Sequence, residues 1–502
     1  MKTIYKIIAG IYAAATLAVL IIVTGRKSNQ TAMLIGAAGI AFLCAATGLK
    51  KERPGQKDCR RAELCVWMAV FLFQASASYF AYFLMGLDAS GMLTNAYYMA
   101  TYHYAPFIDS HYFSTYPNNA FLTILFSKII ELFRAVAGDP GMDRCAYVLI
   151  VIQCALNSLT GLLTRRLAYK LTGRHAFSWA VGLVYIGFIA ISPRVMVPYS
   201  DSMGLLIPLA TLYLYQKDAE CGEERLRIGN WLAIGFVAAV GYLIKPQAVI
   251  PMIAITLIET VRLLSQKQIG VWFRHVGLAL AMIFVVTGPV NTAIVDHSEI
   301  ELDPELNFGM THYLMMGLNE ETSGYYSQDD LYVSLHAKTK KERVEKHLQI
   351  AKERFEDMWE GKRLGQHIKR KLSGTYSDGT FGWCADERRI EAEVADKDDV
   401  ISPFLKSLTR LDGERYGLLA GWLQRIWMGL LACSLFLPFA VRGESARTVS
   451  AIALALLGLM TFEILFETGS RYLFTHAPLF VLAGTLSIEA VIERIREKRK
   501  RG

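Results

Sequence analysis

The sequence lacks the motifs that would mark a nucleotide-driven or redox enzyme. Its 502 residues contain no G-x-x-x-x-G-K-[ST] loop and no G-x-G-x-x-G segment, so the phosphate cradle needed for ATP-driven transport or dinucleotide chemistry is missing. The eight cysteines include no C-x-x-C pair, and neither a zinc site nor a redox site of that type is predicted. No basic face with interleaved aromatics occurs either, so no nucleic-acid partner is expected.

Charged residues are also scarce outside a few blocks. They make up 20% of the chain, whereas 53% of the residues are hydrophobic, and the blocks fall between long apolar runs. This pattern is typical of a polytopic membrane protein, because a helix needs about 20 mostly apolar residues to cross the hydrocarbon core. The candidate spans are residues 4–25, 31–49, 62–86, 145–164, 176–197, 200–216, 230–244, 246–264, 276–295, 417–440, 448–466 and 472–490.

Basic residues predict which ends of these spans face the cytoplasm. Segment 49–61, the stretch 165–174 and the C-terminal tail are all rich in lysine and arginine, and the positive-inside rule places all three in the cytoplasm. The apolar run 118–137 would break this arrangement if it crossed the membrane. It is therefore predicted to lie along the outer surface or to re-enter, and its three charged residues suit an interfacial helix.

We therefore expect an all-α polytopic membrane protein with twelve spans, embedded in a lipid bilayer, with both termini cytoplasmic. Residues 1–295 form the transmembrane core, which includes a first external loop at 87–144. Residues 296–416 form a small, mainly helical external segment, and residues 417–502 form the last spans and a basic cytoplasmic tail. The run from 230 to 264 is too long for one crossing and is split at Lys245-Pro246, because proline disfavours helix in the residue before it.

Ionisable side chains gather at the predicted outer ends of the spans. Each costs about 2.5–3.5 kcal/mol at membrane depth, so each needs a partner or a function. For any single one the alternative is a helix-end charge that reaches the interface, and Asp201 also has the position of an N-cap. A histidine in an apolar stretch, such as His312, is more often part of a core than a catalyst. The residues concerned are Asp88, Asp109, Arg194, Asp201, Lys245, His312, Glu467 and Arg471.

Carboxylates and cations on one face suit glycosyl transfer from a lipid phosphate. A carboxylate beside an acceptor hydroxyl serves as general base, and arginine or lysine neutralises a departing phosphate. Displacement with a single base inverts the anomeric carbon, by analogy with inverting glycosidases. The sequence does not require a metal, but Asp88 and Asp109 lie in one loop and are candidate oxygen ligands for a divalent cation.

Short motifs around these residues resemble the GT-C superfamily of polytopic glycosyltransferases, especially family-39-like members related to protein mannosyltransferases and aminoarabinose transferases. The resemblance covers nearly the whole chain in layout and implies a GT-C-type bundle with juxtamembrane helices in the first loop. It implies that Asp88, just after an early span, is the base, and that Arg471 and Lys245 lie near the phosphate of a polyprenyl-phosphate sugar. The motifs are Tyr112–Asn119, Pro198–Asp201, Leu243–Pro246, Thr311–Gly317, Asp378–Phe381 and Ser470–Leu473.

The sequence thus predicts a multi-pass glycosyltransferase of the cell membrane with an extracytoplasmic active site. It moves a sugar from a polyprenyl-phosphate donor to a glycan, glycolipid or protein acceptor of the cell envelope. Asp88 is the expected base, and Asp109 is the alternative base, an assistant or a metal ligand. The residues expected to bind substrate are Asp201, which positions hydroxyls, Arg471, Lys245 and Arg194, which hold phosphate, and Tyr116, Asn118, Asn119, His312 and Glu467, which shape the pocket.

Two other functions fit parts of the pattern. A polysaccharide polymerase or ligase acting on lipid-pyrophosphate glycans would place its chemistry at arginine and histidine residues within 296–416 and make Asp88 dispensable. A flippase or transporter for lipid-linked sugars would place charges near the bilayer midplane and show repeated halves. The charges here gather at one face, and the sequence shows no internal repeat.

Overall fold

Helices make up most of the protein. The computed structural model describes residues 1–48, 60–102, 108–297, 299–383, 390–393 and 399–501, so most of the basic segment 49–61 lies outside the described residues. In chain order the helices are α1 (Lys2–Val23), α2 (Lys27–Gly48), α3 (Arg60–Ala81), α4 (Leu87–Tyr102), α5 (Ser110–Thr115), α6 (Ala120–Ala137), α7 (Gly141–Thr172), α8 (His175–Tyr185), α9 (Ser200–Met203), α10 (Leu206–Ala219), α11 (Glu224–Ile244), α12 (Ile250–Ser265), α13 (Ile269–Trp272), α14 (Leu278–His297), α15 (Gly309–Gly317), α16 (Gln328–His336), α17 (Lys340–Glu360), α18 (Leu364–Tyr376), α19 (Ile401–Thr409), α20 (Tyr416–Ser434), α21 (Ala446–Leu465) and α22 (Ala477–Arg501).

Each of the twelve predicted spans corresponds to a helix. Within the described ranges, nine helical stretches are long and apolar enough to cross a membrane. The other three predicted spans are α8, a shorter apolar helix that continues to residue 190; α10, which has 14 residues; and α20, which contains the polar pair Gln424 and Arg425. The protein is therefore an all-α polytopic membrane protein, as predicted.

The break predicted within residues 230–264 is confirmed. Helix α11 ends at Ile244, and Lys245 has an extended backbone with φ −156° and ψ 111°. A short 3-10 turn, Pro246–Val249, then leads into α12. Proline disfavours helical geometry in the residue before it, so the chain turns at this position. The turn brings the Lys245 side chain to a helix end inside the bundle.

The first loop and the long segment meet at one end of the bundle. The Phe308 amide donates to the Thr115 carbonyl at 3.3 Å, and the Glu301 amide donates to Ser110 Oγ at 3.1 Å. A two-stranded antiparallel pair, β1 (Phe83–Met85) with β2 (Ile390–Glu393), joins them again. Strands this short carry too little periodicity to be predicted from sequence. We refer to this end as the site end.

Helix α6 covers the run 118–137 and packs on α4 and α7. Its buried face includes Leu122, Phe126 and Ile130, while Leu132 and Val136 are exposed. It is not among the helices that are long and apolar enough to cross a membrane. The first loop therefore contains helices, as predicted, and the position of α6 along an outer membrane surface stays a prediction.

Basic residues gather at the end away from the first loop. Helix α7 begins next to that loop and has 32 residues, a length of about 48 Å at 1.5 Å per residue. Near its far end, Glu63 of α3 forms ion pairs with Arg165 and with Arg166, the latter at 2.8 Å. Arg174 pairs with Glu489 of the last helix. The assignment of this end to the cytoplasm stays a prediction.

A close glycine contact joins α2 to α20. A Cβ atom added at Gly36 would lie 1.8 Å from the Arg425 carbonyl oxygen, and one added at Gly429 would lie 2.4 Å from the Gly36 carbonyl carbon. Small residues allow helix backbones to approach in membranes, where packing and not burial from water drives association. This contact holds the N-terminal helix pair to the C-terminal spans.

We expect Gly36→Val to destabilise the protein by about 1–3 kcal/mol, because the added atoms would overlap a backbone that cannot move by itself. Gly39→Val is the matched control, since nothing lies within 4 Å of a Cβ atom at that position of the same helix. Thermal unfolding in detergent measures both. Equal midpoints for the two variants would contradict the close contact.

Candidate functional site

Asp88 lies at the site end, in the first turn of α4. The backbone enters this helix through Leu87, which has φ +56°. Two tyrosine hydroxyls reach the carboxylate: Tyr112 at 3.0 Å from Oδ1 and Tyr199 at 3.3 Å from Oδ2. The side chain is half-buried, and a helix N-terminus favours an anion. Asp88 is thus an accessible carboxylate held by two hydroxyl donors.

Tyr112 is itself held from two sides. Asn119 Nδ2 donates to its hydroxyl oxygen at 2.7 Å, so the Tyr112 proton is directed toward Asp88. Burial and the neighbouring Asp88 carboxylate raise the pKa of Tyr112 above its ordinary value of 10. The tyrosine therefore stays neutral and donates a hydrogen bond at physiological pH.

Asp109 has a different structural role from Asp88. It is the N-cap of α5, and its carboxylate accepts from the Tyr112 amide at 2.9 Å. Its own amide donates to Asn95 Oδ1 at 2.8 Å. A capping carboxylate satisfies a free helix amide, and here it fixes the residue that contacts Asp88. Asp109 therefore acts on the site through Tyr112.

The two candidate metal ligands of the first loop contact protein groups in the structure. Asp88 accepts from hydroxyl groups, and Asp109 accepts from a backbone amide. Across the described ranges, no cluster of three or more histidine, cysteine, aspartate or glutamate side chains is arranged to hold a metal ion. A divalent cation at Asp88 and Asp109 stays a prediction.

Asp201 is completely buried between two cations. Its exposure is 0%, against 1% for Arg194 and 7% for Lys245. Lys245 Nζ pairs with one carboxylate oxygen, and an Arg194 nitrogen lies 3.7 Å from the other. Arg194 also donates to the Phe381 carbonyl at 3.0 Å. The group carries one net positive charge below the site surface, and burial at this depth is tolerated because the charges are paired.

Arg471 connects these cations to Asp88 through aromatic rings. Its guanidinium lies 5.8 Å from the Tyr199 ring centroid and 5.1 Å from that of Tyr472, while Lys245 lies 5.0 Å from the Tyr472 ring. Cations are attracted to ring faces at these distances. The structure therefore brings Asp88, Arg471 and Lys245 into one site, connected by the rings of Tyr199 and Tyr472.

Glu467 borders the same group. Burial raises its pKa above the ordinary value of 4.5, while Arg471 and a hydrogen bond from Tyr472 act in the opposite direction. Asp88 also raises the pKa of Glu467, because the two acids are close enough to repel each other. Glu467 therefore belongs to the same group of interacting charges as Asp88 and Arg471.

The predicted pocket residues of the first loop differ in their positions. The Tyr116 ring lies 5.4 Å from those of Tyr112 and Phe308. Asn119 is buried and contacts Tyr112. Asn118 is exposed, and its amide donates to Asn119 Oδ1 at 3.0 Å. Tyr116 and Asn119 therefore belong to the site, and Asn118 supports Asn119 from the surface.

His312 belongs to the core of the long segment. Its Nδ1 lies 2.7 Å from Ser334 Oγ, and the same oxygen lies 2.8 Å from His347 Nε2. Burial lowers the pKa of His312 to about 3 and that of His347 to about 4. Phe308, 4.7 Å from His312 and 5.4 Å from Tyr116, connects this core to the site.

Several site residues were not singled out from the sequence. Tyr112, Tyr199 and Tyr472 lie within quoted motifs, but nothing local shows that their side chains converge. Lys371 is buried, which lowers its pKa to about 8, and it donates to two backbone carbonyls. One feature of the sequence could have pointed to a further site residue. Glu463 is an acid inside an apolar helix, and such residues are rare and usually functional.

Comparisons with known proteins place the chain in a membrane family. The sequence model of the family described as "Conserved hypothetical integral membrane protein" matches residues 17–492. No curated protein matches the chain. Among solved structures, the crystal structure of ArnT from Cupriavidus metallidurans bound to undecaprenyl phosphate matches with 14% identity and a TM-score of 0.33, covering 85% of this chain and 77% of that chain. A TM-score this low does not establish a shared arrangement of the site.

We expect acid to loosen the core of the long segment. His312 and His347 have folded-state pKa values of about 3 and about 4, below the ordinary 6.5, so protonation favours the unfolded form. Their contribution is complete above pH 6.5 and is lost as the pH falls toward 4. Hydrogen exchange, corrected for intrinsic rates, should show at least about tenfold less protection of α15 and α17 at pH 4.5 than at pH 7.

The control for this measurement is His336→Gln. His336 is exposed on α16, so its removal should leave the pH dependence unchanged. Equal protection of α15 and α17 at both pH values in the wild-type protein would show that the two buried histidines do not govern stability there.

Proposed function

This chain belongs to the family of conserved hypothetical integral membrane proteins, and from its buried charges we propose that it is a membrane glycosyltransferase that uses a polyprenyl-phosphate sugar. The single observation that supports this most directly is the arrangement around Tyr199. Its hydroxyl contacts Asp88, and its ring contacts Arg471. The Tyr199 side chain thus contacts both the proposed base and a cation.

Asp88 is the general base for the acceptor hydroxyl. Tyr112 and Tyr199 each donate to one of its oxygens, which fixes the carboxylate and leaves lone pairs for an incoming proton. A base must lie within hydrogen-bond reach of the proton that it takes. Since Asp88 is half-buried, an acceptor hydroxyl can approach it.

Arg471 holds the leaving phosphate. It is partly exposed, whereas Arg194 and Lys245 are buried against Asp201. Its planar guanidinium can donate two parallel hydrogen bonds to phosphate oxygens. Lys245, Arg194 and Asp201 add one net positive charge beneath it. Asp201 therefore orients the buried cations and does not itself reach the sugar.

The reaction is a single displacement. The acceptor oxygen gives its proton to Asp88 and attacks the anomeric carbon, while the bond from that carbon to the phosphate oxygen breaks. The electron pair of the broken bond goes to the phosphate, whose charge Arg471 and the buried cations stabilise. One displacement inverts the anomeric carbon. The products are the glycosylated acceptor and polyprenyl phosphate.

The site faces the outside of the cell in this proposal. Arg165, Arg166 and Arg174 lie at the other end of the bundle, and lysine and arginine favour the cytoplasmic side. An external site matches a lipid-linked donor, which does not need soluble nucleotides at that face. The acceptor is then a component of the cell envelope.

We expect Asp88→Asn to lower the transfer rate by about 10²–10⁴-fold, the usual contribution of a general base, with donor binding retained. Asp139→Asn is the matched control, because Asp139 is an exposed acid of the same loop that pairs with Arg134. Transfer is measured with radiolabelled polyprenyl-monophosphate sugars in proteoliposomes. A wild-type rate in Asp88→Asn would remove Asp88 as the base.

The same assay separates the proposed function from the two others that fit the sequence. Consumption of lipid-pyrophosphate glycans, with Asp88→Asn fully active, would indicate a polymerase or ligase. Movement of a lipid-linked sugar across the bilayer without consumption of either donor would indicate a transporter. Either result would contradict the proposal.

We expect Arg471→Ala to weaken donor binding by about 10- to 100-fold, as a lost hydrogen bond to a charged group costs about 1.5–3 kcal/mol. Binding of polyprenyl phosphate is measured by competition against the labelled donor. Arg425→Ala is the control, since Arg425 is exposed on α20. Unchanged affinity in Arg471→Ala would place the phosphate elsewhere.

A further inference from the structure

Two exposed tyrosines stand beside the site on a short turn. Residues 318–327, which we call the tyrosine turn, connect α15 to α16. Tyr325 is 41% exposed and Tyr326 is 51% exposed. Two neighbouring exposed tyrosines present flat apolar rings and hydroxyl groups to a binding partner.

The tyrosine turn is held in one conformation from within. The buried Asn319 side chain accepts from the amides of Glu321 and Thr322 and donates to Asp330 at 3.1 Å. The Gly324 amide donates to the Asn319 carbonyl at 2.9 Å. Gly324 has φ +79°, a backbone conformation that glycine adopts without strain. The exposed tyrosines are therefore presented by a fixed backbone.

The tyrosine turn is also tied directly to the site. The Thr468 amide donates to the Gly324 carbonyl at 2.7 Å, which attaches the turn next to Glu467. Lys371 Nζ donates to the carbonyls of Gly317 and Phe466 at 2.7 and 2.6 Å. A buried lysine thus joins the start of the turn to the chain segment that leads to Arg471.

Both tyrosine rings have defined places. A Cβ atom added at Gly374 would lie 2.1 Å from the Tyr325 hydroxyl, so this ring lies over a glycine of α18. The Tyr326 hydroxyl donates to Gln328 at 2.9 Å. The two exposed rings are therefore held by contacts on either side of the turn.

We propose that the tyrosine turn is an acceptor subsite that takes a neutral carbohydrate chain, so that the acceptor is a glycan. This rests on the proposed glycosyl transfer, which it deepens by naming the acceptor class. A sugar ring presents C–H groups on its faces and hydroxyls at its edge. Tyrosine matches both, since it combines a flat apolar ring with a hydroxyl and loses little entropy on binding.

The charges around the turn favour a neutral chain over an anionic one. Glu320 is paired with Arg363 and Arg370, and Asp330 with Arg354, so these acids and cations offset each other. The exposed acids Glu321 and Asp329 are near the tyrosines in sequence, and like charges in proximity repel. A lipid acceptor would need a continuous apolar patch, whereas Ser323, Gly324, Ser327 and Gln328, next to the tyrosines in sequence, are small or polar.

Binding of glycans to the full-length protein in lipid nanodiscs tests the subsite. The probes are chitohexaose, cellohexaose and laminarihexaose, measured by saturation-transfer NMR without donor. At least one should bind, and Tyr326→Ala should weaken it by about fivefold, while Tyr326→Phe, which keeps the ring, should retain most of the affinity. Gly374→Val should weaken binding similarly, because the added atoms displace the Tyr325 ring without removing that residue.

Two matched controls should bind like the wild-type protein. Tyr332→Ala removes a tyrosine that is also 51% exposed but lies on α16. Gly365→Val adds the same atoms to α18 at a position where nothing lies within 4 Å. Each variant is used only if its thermal unfolding midpoint matches the wild type, and Tyr326→Ala decides the outcome if Gly374→Val does not fold.

Three results would overturn the subsite: no binding of any probe, equal binding in Tyr326→Ala, or equal loss in the Tyr332→Ala control. These outcomes differ from failure of the proposed function, which is judged by donor consumption. A protein that consumes the donor but ignores the tyrosine turn would keep the glycosyl transfer and exclude this acceptor site. A protein that binds glycans at the tyrosine turn but consumes no donor would keep the glycan-binding site and exclude the glycosyl transfer.

Discussion

Burial of charge inside a helix bundle is the constraint on which the site depends. Asp201 has no exposed surface and lies between Lys245 and Arg194. Removing Asp201 would leave the two buried cations without the acid between them, and breaking a buried pair in this way is strongly destabilising. The helix break at Lys245-Pro246 places this lysine at a helix end, where it meets Asp201. The pairing of charges at the site is therefore part of how the bundle packs.

Tyrosine rings connect the acid and the cations of the site. Tyr199 contacts Asp88 with its hydroxyl and Arg471 with its ring face, and the Tyr472 ring contacts both Arg471 and Lys245. Ring faces attract cations, while a tyrosine hydroxyl can donate to a carboxylate. Tyr199 therefore contacts an acid and a cation with one side chain.

The long segment contributes contacts that connect the parts of the site. Lys371 joins Gly317 to Phe466, and Phe308 stands between Tyr116 and the His312 core. The helices of this segment, the first loop and the last turn between spans are therefore mechanically connected. All three therefore contribute contacts around the candidate site.

The sequence by itself determined the features that depend on residues close together along the chain. Apolar run length located the spans, Lys245-Pro246 located the break, and charge blocks separated the two ends. Tertiary structure decided which side chains meet. Asp88 and Tyr199 are 111 residues apart, and Asp201 and Lys245 are 44 apart. Asp109 proved to be a cap and His312 a core residue. Local periodicity carries no information on such contacts, because they depend on how distant helices pack.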